Sequence, residues 1–345
     1  MQLITSHKGL LALLLGVTDE IEVVIGCRVS PKQKGDIVAL MRMRHKDKIT
    51  LAIGDGANDC SMISKAHVGI GIAGREGMQA ARSSDFAIGK FKFLHKLLFF
   101  HGREDYRRNG ELILFMFYKN VLYVMVQFMF GYYSIFSGQT MYEKWIYQIY
   151  NVTFTGLHNM VYALFDFEFD KEVLMTTPIL YSVGMRNLIF NLKEFWIWVL
   201  YAMMQAAMIL LVVFYTSQDS VLSDGHSFTF WAGGHHVYGC CVLLANIIIL
   251  KMQNNWTGYN VVICTLQISS YYVLLWYFSV TLETDVIYEF WEEYISSWPA
   301  WLGTFLVITS FWHIDNMLHA FRLSLRYLFP DDEIVAEAQK VGIQK

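Results

Sequence analysis

Gly54-Asp55-Gly56-Ala57-Asn58-Asp59 sets two carboxylates and a carboxamide in a stretch whose glycines permit a tight turn. It follows an apolar run, Ile49 to Ile53, of strand-like length. Ligands of open α/β sheets bind beyond the carboxyl ends of strands, and hard oxygen donors gathered there suit Mg2+, which keeps several waters and is held by one or two carboxylates. Asp55 and Asp59 are therefore candidate metal ligands, with Asn58 beside them. The same residues also make an ordinary helix start, with Asn58 or Asp59 as N-cap, and the hexapeptide alone leaves the two readings level. Lys34, in Ser30-Pro31-Lys32-Gln33-Lys34, follows another apolar run (Val23 to Gly26) closely enough to reach the same sheet edge. A fixed ammonium there would hold a phosphoryl group; without further context a solvated surface lysine is the better reading. Gly69, Gly71, Gly74 and Gly77 lack the Lys-Ser/Thr ending of a phosphate loop and are expected to serve tight packing of strand and turn.

A second set of polar residues lies inside apolar runs. Lys119 and Asn120 sit about 10 Å along a helix from Leu112, and a buried cation usually faces a pathway or a partner. Asn151, Thr155 and His158 recur at helical spacing and would form one polar stripe, which interhelical hydrogen bonding alone could also explain. No Asp or Glu occurs between Leu112 and Tyr142 or between Trp145 and Phe165, whereas a cation pathway normally supplies carboxylates. His235-His236, and His313 and His319 around Asp315, are expected at interfaces rather than on a metal.

The elements that must hold these residues follow from composition. The 345 residues are 55% hydrophobic, 16% aromatic and only 17% charged, too apolar for soluble domains alone, and mean hydropathy is +0.35. Five cysteines suggest no disulfide framework, and a net charge of -3 gives no basic excess for nucleic acid. Apolar blocks long enough to cross a bilayer begin after Gly110, and six spans are predicted: 112–136, 145–165, 195–215, 235–252, 259–280 and 298–321. Lys90, Lys92, Lys96, Arg103, Arg107 and Arg108 precede the first span, and Lys171, Arg186, Lys193, Lys251, Arg322 and Arg326 fall on that same side. The other side has Lys144, with acidic Glu283, Asp285, Glu289, Glu292 and Glu293. Both termini are thus expected in the cytosol. Residues 9–17 read as an amphipathic helix rather than a signal-peptide core. Before the spans, short apolar runs (Val23 to Gly26, Ile49 to Ile53 and Val68 to Ile72) separated by helices predict a parallel sheet covered by helices, a partial α/β domain. The organisation expected is 1–110 cytosolic, 111–329 transmembrane and 330–345 a cytosolic tail.

Taken together the chain resembles the C-terminal part of the phospholipid-flipping subfamily of P-type ATPases. Cys27-Arg-Val-Ser-Pro-Lys-Gln-Lys34 matches a family segment; Gly54 to Asp59 with Cys60-Ser-Met-Ile63 matches another, with Cys60 where valine is usual. His67 to Gly71, Gly74 to Ala80 and Ser84 to Ala87 continue the match, and Phe117-Tyr-Lys-Asn120, Ser137-Gly-Gln139 and Tyr150 to Thr155 carry it into the spans. The resemblance implies a haloacid-dehalogenase-like phosphorylation domain in which Asp55, Asn58 and Asp59 belong to the Mg2+ site, with Asp55 the direct ligand, and Lys34 neutralises an aspartyl phosphate. It implies that Lys119, Asn120 and Asn151 lie along the route of a phospholipid headgroup, that the spans are the last six of ten, and that the partner is the accessory two-span glycoprotein subunit of flippases. ATP would be the substrate, phospholipid would move from the exoplasmic to the cytosolic leaflet, and the membrane would be plasma, Golgi or endosomal. Two departures stand out. His158-Asn159 follows Leu157 where the family usually has one or two prolines, and no Asp-Lys-Thr-Gly-Thr or Asp-Gly-Glu-Thr occurs. Alone, the chain is expected neither to hydrolyse ATP nor to transport. The alternative is a short non-catalytic membrane protein acting as assembly partner or competitor for that subunit.

Overall fold

Ser30 illustrates how local sequence writes the first helices. In the computed structural model its hydroxyl accepts from the Gln33 amide at 3.4 Å while the Gln33 side-chain oxygen accepts from the Ser30 amide at 2.9 Å, and Pro31 adds a first helical residue with no N–H to satisfy. The structure describes residues 8–74, 77–217, 229–281 and 290–328. The expected tail 330–345, Arg75 and Glu76 of the matched Gly74 to Ala80 segment, and the acidic Glu283, Asp285 and Glu289 lie outside the described residues. So do the side chains of Glu293, His319, Arg322 and Arg326.

The chain divides into two units, Met1–Leu98 and Phe99–Lys345. The first holds α1 (Lys8–Glu20) and α2 (Pro31–Arg44), tied by Arg44 and His45 to Asp19 at 2.8 and 3.0 Å. Three parallel strands follow, in the order β1 (Leu51–Gly54), β2 (Val68–Ile72), β3 (Phe86–Ile88), with Leu51 opposite Val68 and Ile70 opposite Phe86. α3 (Cys60–Lys65) joins β1 to β2 and α4 (Gln79–Arg82) joins β2 to β3. Gly71 is required where α4 crosses β2, since a Cβ there would stand 2.5 Å from Ala81 Cα. The run Val23 to Gly26 is not a strand. With no neighbouring strand to pair with, it stays irregular, and Ile25 is 83% exposed. The third strand is instead Phe86–Ile88, registered by Asp85, whose carboxylate accepts from the Gly69 amide at 2.7 Å.

The division falls earlier than the Gly110 boundary read from composition, because Arg103, Glu104 and Arg107 are buried in the second unit. On α5 (Arg103–Tyr133), Arg107 is bonded to Glu104, Glu111 and Asp166 at 3.0, 3.0 and 2.9 Å, and Arg103 reaches Glu168 at 2.8 Å. Further along the same helix, Phe115, Tyr118, Leu122 and Val126 form a buried apolar stripe. Among the described residues four helices are long and apolar enough to cross a membrane: Phe93–Tyr133, which contains α5, then Leu192–Thr216, Phe230–Met252 and Gly258–Thr281. The last three lie within α8 (Leu192–Ser217), α9 (Phe230–Met252) and α10 (Gly258–Thr281). The expected second span is not one helix. It divides into α6 (Lys144–Ile149), a π turn at Tyr150–Phe154, and α7 (Leu157–Phe165). The expected sixth span is within α11 (Trp298–Leu328), which has the length but is not among the four.

Candidate functional site

At the end of β1, glycines decide what can approach. A Cβ on Gly54 would lie 2.3 Å from Asp59 Cβ, and one on Gly35 would lie 2.4 Å from Ser61 Oγ. Only glycine at these positions lets Asp59 press against the strand end and α2 press against α3. That packing brings Lys34 Nζ to 2.7 Å from Asp59 Oδ1 in a partly buried ion pair. Asp59 occupies the position before α3, but its side chain makes no capping bond there; the carboxylate is turned to Lys34 instead. Arg42 donating to the Lys65 carbonyl at 2.6 Å, and Lys65 paired with Asp36 at 2.9 Å, hold the same two helices together. Asp55 directly follows β1 and is exposed, as is Asn58. Asp55 and Asp59 therefore flank one strand end, a donor set that fits a small hard cation.

The second cluster surrounds the interruption in the second segment. Lys119 on α5 is fully buried and donates from Nζ to Thr155 Oγ1 at 2.9 Å, with Thr155 O at 3.5 Å. Among the described residues no carboxylate pairs with it. Backbone groups freed by a break in a helix and buried away from water need internal partners. Here side chains supply them. Thr155 Oγ1 donates to Tyr150 O at 2.9 Å, Asn246 to Phe154 O at 2.8 Å, Gln267 to Thr153 O at 3.5 Å, and Gln267 Oε1 accepts from the His158 amide at 3.2 Å. Gly156 is essential to the shape, because a Cβ would stand 2.4 Å from Val152 O. Tyrosines complete the surroundings. Tyr123 stacks on Tyr150 at 4.5 Å, Tyr238 donates to Ile146 O at 2.8 Å, and Tyr150 donates to Lys119 O at 3.3 Å. Asn120 bonds its own helix at Met116 O, and Asn151 is exposed, so neither is gathered with Lys119. The stripe expected from Asn151, Thr155 and His158 is not one face of one helix, because Asn151 lies in the π turn, Thr155 just after it and His158 in α7.

The family model described as phospholipid-translocating P-type ATPase C-terminal matches residues 81–328. The chain belongs to the phospholipid-translocating P-type ATPases. Against a phospholipid-transporting ATPase of Schizosaccharomyces pombe it is 43% identical over 244 residues, 69% of this chain and 19% of that protein. It is 36% identical over 302 residues to phospholipid-transporting ATPase IH of Mus musculus, 86% of this chain and 25% of that one. Against phospholipid-transporting ATPase DRS2 of Saccharomyces cerevisiae it is 39% identical over 251 residues, 72% of this chain and 18% of that protein. The chain thus spans about a quarter or less of the length of these relatives. As a member of this translocating family it is an integral membrane protein, in keeping with its four apolar helices.

Several residues around the interruption were not foreseen from sequence. Asn246 and Gln267 are the clearest, each a carboxamide inside an otherwise apolar run, and that isolation was a readable signal. Their common target was not readable, because Asn246 is 92 residues from Phe154 and Gln267 is 109 from His158. His235 and His236 are fully buried between helices, and His236 Nε2 meets Thr304 Oγ1 at 2.9 Å. Asp315 pairs with Lys251 and accepts from Tyr201 at 3.1 Å, linking α11 to α9 and α8.

Proposed function

We propose that this chain is the C-terminal portion of an ATP-driven phospholipid translocase that moves lipid from the exoplasmic to the cytosolic leaflet. The observation that carries the reading is Lys119, a fully buried ammonium held, among the described residues, by neutral oxygens alone beside an interrupted helical segment. A cation left without a carboxylate in a low-dielectric interior favours an anionic visitor, and the phosphate of a lipid headgroup is such an anion. Lys119, Asn120 and Asn151 are assigned to that route, with Thr155 fixing the Lys119 side chain. The six-span arrangement with both termini in the cytosol belongs to this reading, as do a plasma, Golgi or endosomal membrane and an accessory two-span glycoprotein subunit.

In the cytosolic unit, proposed as the end of a haloacid-dehalogenase-like phosphorylation domain, Asp55 would hold Mg2+ with Asp59 and Asn58 beside it. Bound there, the ion supplies positive charge to phosphoryl oxygens. Lys34 fixes Asp59 and adds a second positive group at the same strand end. The phosphorylated aspartate, the nucleotide site and the ATP they use are assigned to parts of the longer protein beyond this chain, which alone is expected to be inactive.

The test is ATP hydrolysis by the full-length protein with its accessory subunit, reconstituted in vesicles and challenged with glycerophospholipids that differ in headgroup. Stimulation by at least one headgroup, abolished in Lys119→Met, is the expected result. Turnover indifferent to every lipid would overturn the function, and lipid stimulation that survives Lys119→Met would overturn the route.

A further inference from the structure

The interruption at Tyr150–Phe154 is held from three helices. Lys119 of α5 meets it through Thr155, while α9 and α10 each send a buried carboxamide into its backbone. Asn246 is 1% exposed and spends both amide hydrogens, on Phe154 O at 2.8 Å and on Val242 O of its own helix at 2.9 Å. Gln267, 2% exposed, works in both directions, accepting from the His158 amide and donating to Thr153 O. Between them they engage the last two carbonyls of the π turn and an amide in the first turn of α7.

We propose that Asn246 and Gln267 are positioning residues for lipid translocation: they clamp the backbone of the interrupted segment so that Thr155 holds the Lys119 ammonium in place. Neither touches Lys119; each acts through the backbone that carries Thr155. Thr155 Oγ1 accepts from Lys119 while donating its hydrogen to Tyr150 O, so one side chain ties the turn's geometry to the ammonium's position. If Phe154 O and Thr153 O lose their partners in an environment without water, the turn must rearrange to recover them, and Thr155 moves with it. Helices α9 and α10 thereby become part of the lipid mechanism without lining the route.

The clamp's role in transport rests on the function proposed above, whereas the clamp itself can be measured independently. Amide hydrogen exchange is followed over residues 150–160 of the full-length protein in detergent, for the parent, Asn246→Leu, Gln267→Leu and, as a control two positions from Gln267, Thr265→Val, whose hydroxyl bonds its own helix. Exchange in both clamp variants is expected to rise about ten-fold, with residues 115–126 and the control unchanged. In vesicles, the lipid KM of the clamp variants is expected to rise about five-fold or more, with kcat per phosphorylated molecule changed far less. Unchanged exchange would overturn the clamp. Faster exchange with an unchanged lipid KM would overturn its positioning role, as would an equal fall in kcat with KM constant. A parent without lipid-stimulated turnover would overturn the proposed function instead, and the exchange measurement would still decide the clamp.

Discussion

Arg107 and Lys119 are two buried cations on one helix, about 18 Å apart along its axis, and the protein treats them in opposite ways. Arg107, 1% exposed, is surrounded by Glu104, Glu111 and Asp166 and by the Tyr162 hydroxyl. Lys119, fully buried, receives a hydroxyl and a carbonyl. A buried charge with matched counter-charges holds structure together, and removing one partner strands the rest. A buried charge without one is poor glue, and its retention calls for another account. The contrast separates the part of α5 that anchors the bundle from the part assigned to lipid.

The largest effect is expected from Asp166→Asn. It takes a carboxylate from Arg107 and weakens the grip on the amides of Asn254 and Asn255; the loss should be about 3 kcal/mol or more, read as a collapse in melting temperature and folded yield. A melting curve like the parent's would erase the distinction between the two cations. Gly156→Ala comes next. Its methyl meets Val152 O at 2.4 Å, and a penalty of about 1 to 3 kcal/mol is expected, together with loss of lipid-stimulated turnover. Full activity would show that the turn can open without harm.

Lys119→Met sharpens the comparison, because its two readouts should part. Melting should stay within about 1 kcal/mol of the parent or rise, while lipid-stimulated hydrolysis falls about ten-fold or more. Unfolding of this variant would place Lys119 with Arg107 as a structural cation. The smallest effect concerns Asp19, at the surface of the first unit, whose carboxyl is held below the usual carboxylate range first by its hydrogen bond with Arg44. A depressed carboxyl stabilises the fold above its unfolded value, and that contribution disappears as pH falls through the folded value. The contact between α1 and α2 should therefore be unaffected near neutrality and loosen below about pH 4. Exchange of α1 amides between pH 7 and pH 3 reads this, and a profile identical in Asp19→Asn would remove the pair from the account.

What sequence conveyed was whatever depends on neighbours. The start of α2 is written in Ser30, Pro31 and Gln33, and β1 and β2 are visible as apolar runs between turns. The lengths of α8, α9 and α10 follow from unbroken apolar stretches. Lys34 and Asp59 were nominated separately, and the structure joins them through Gly35 and Gly54, whose missing side chains are legible only after the helices are placed. β3 escaped because a strand of Phe-Ala-Ile is too short to show a period. The interruption of the second segment escaped for a different reason. Helix breaks are looked for at proline, and this one is made by Gly156 together with carboxamides from far along the chain. Asn120 bonds its own helix and Asn151 is exposed, so neither joins the Lys119 cluster, which residue type alone does not reveal.

Asp166 also sets a schedule. Its carboxylate accepts from the Asn254 amide, 88 residues further on, and at ribosomal rates of roughly 5 to 20 residues per second that partner is made about 4 to 18 s later. During this interval Arg107 and Asp166 can already meet, but the turn after α9 does not yet exist to close over them. The chain as far as α7 is therefore made before these partners, and the arrival of Asn254 and Asn255 completes the set of groups around the Asp166 carboxylate.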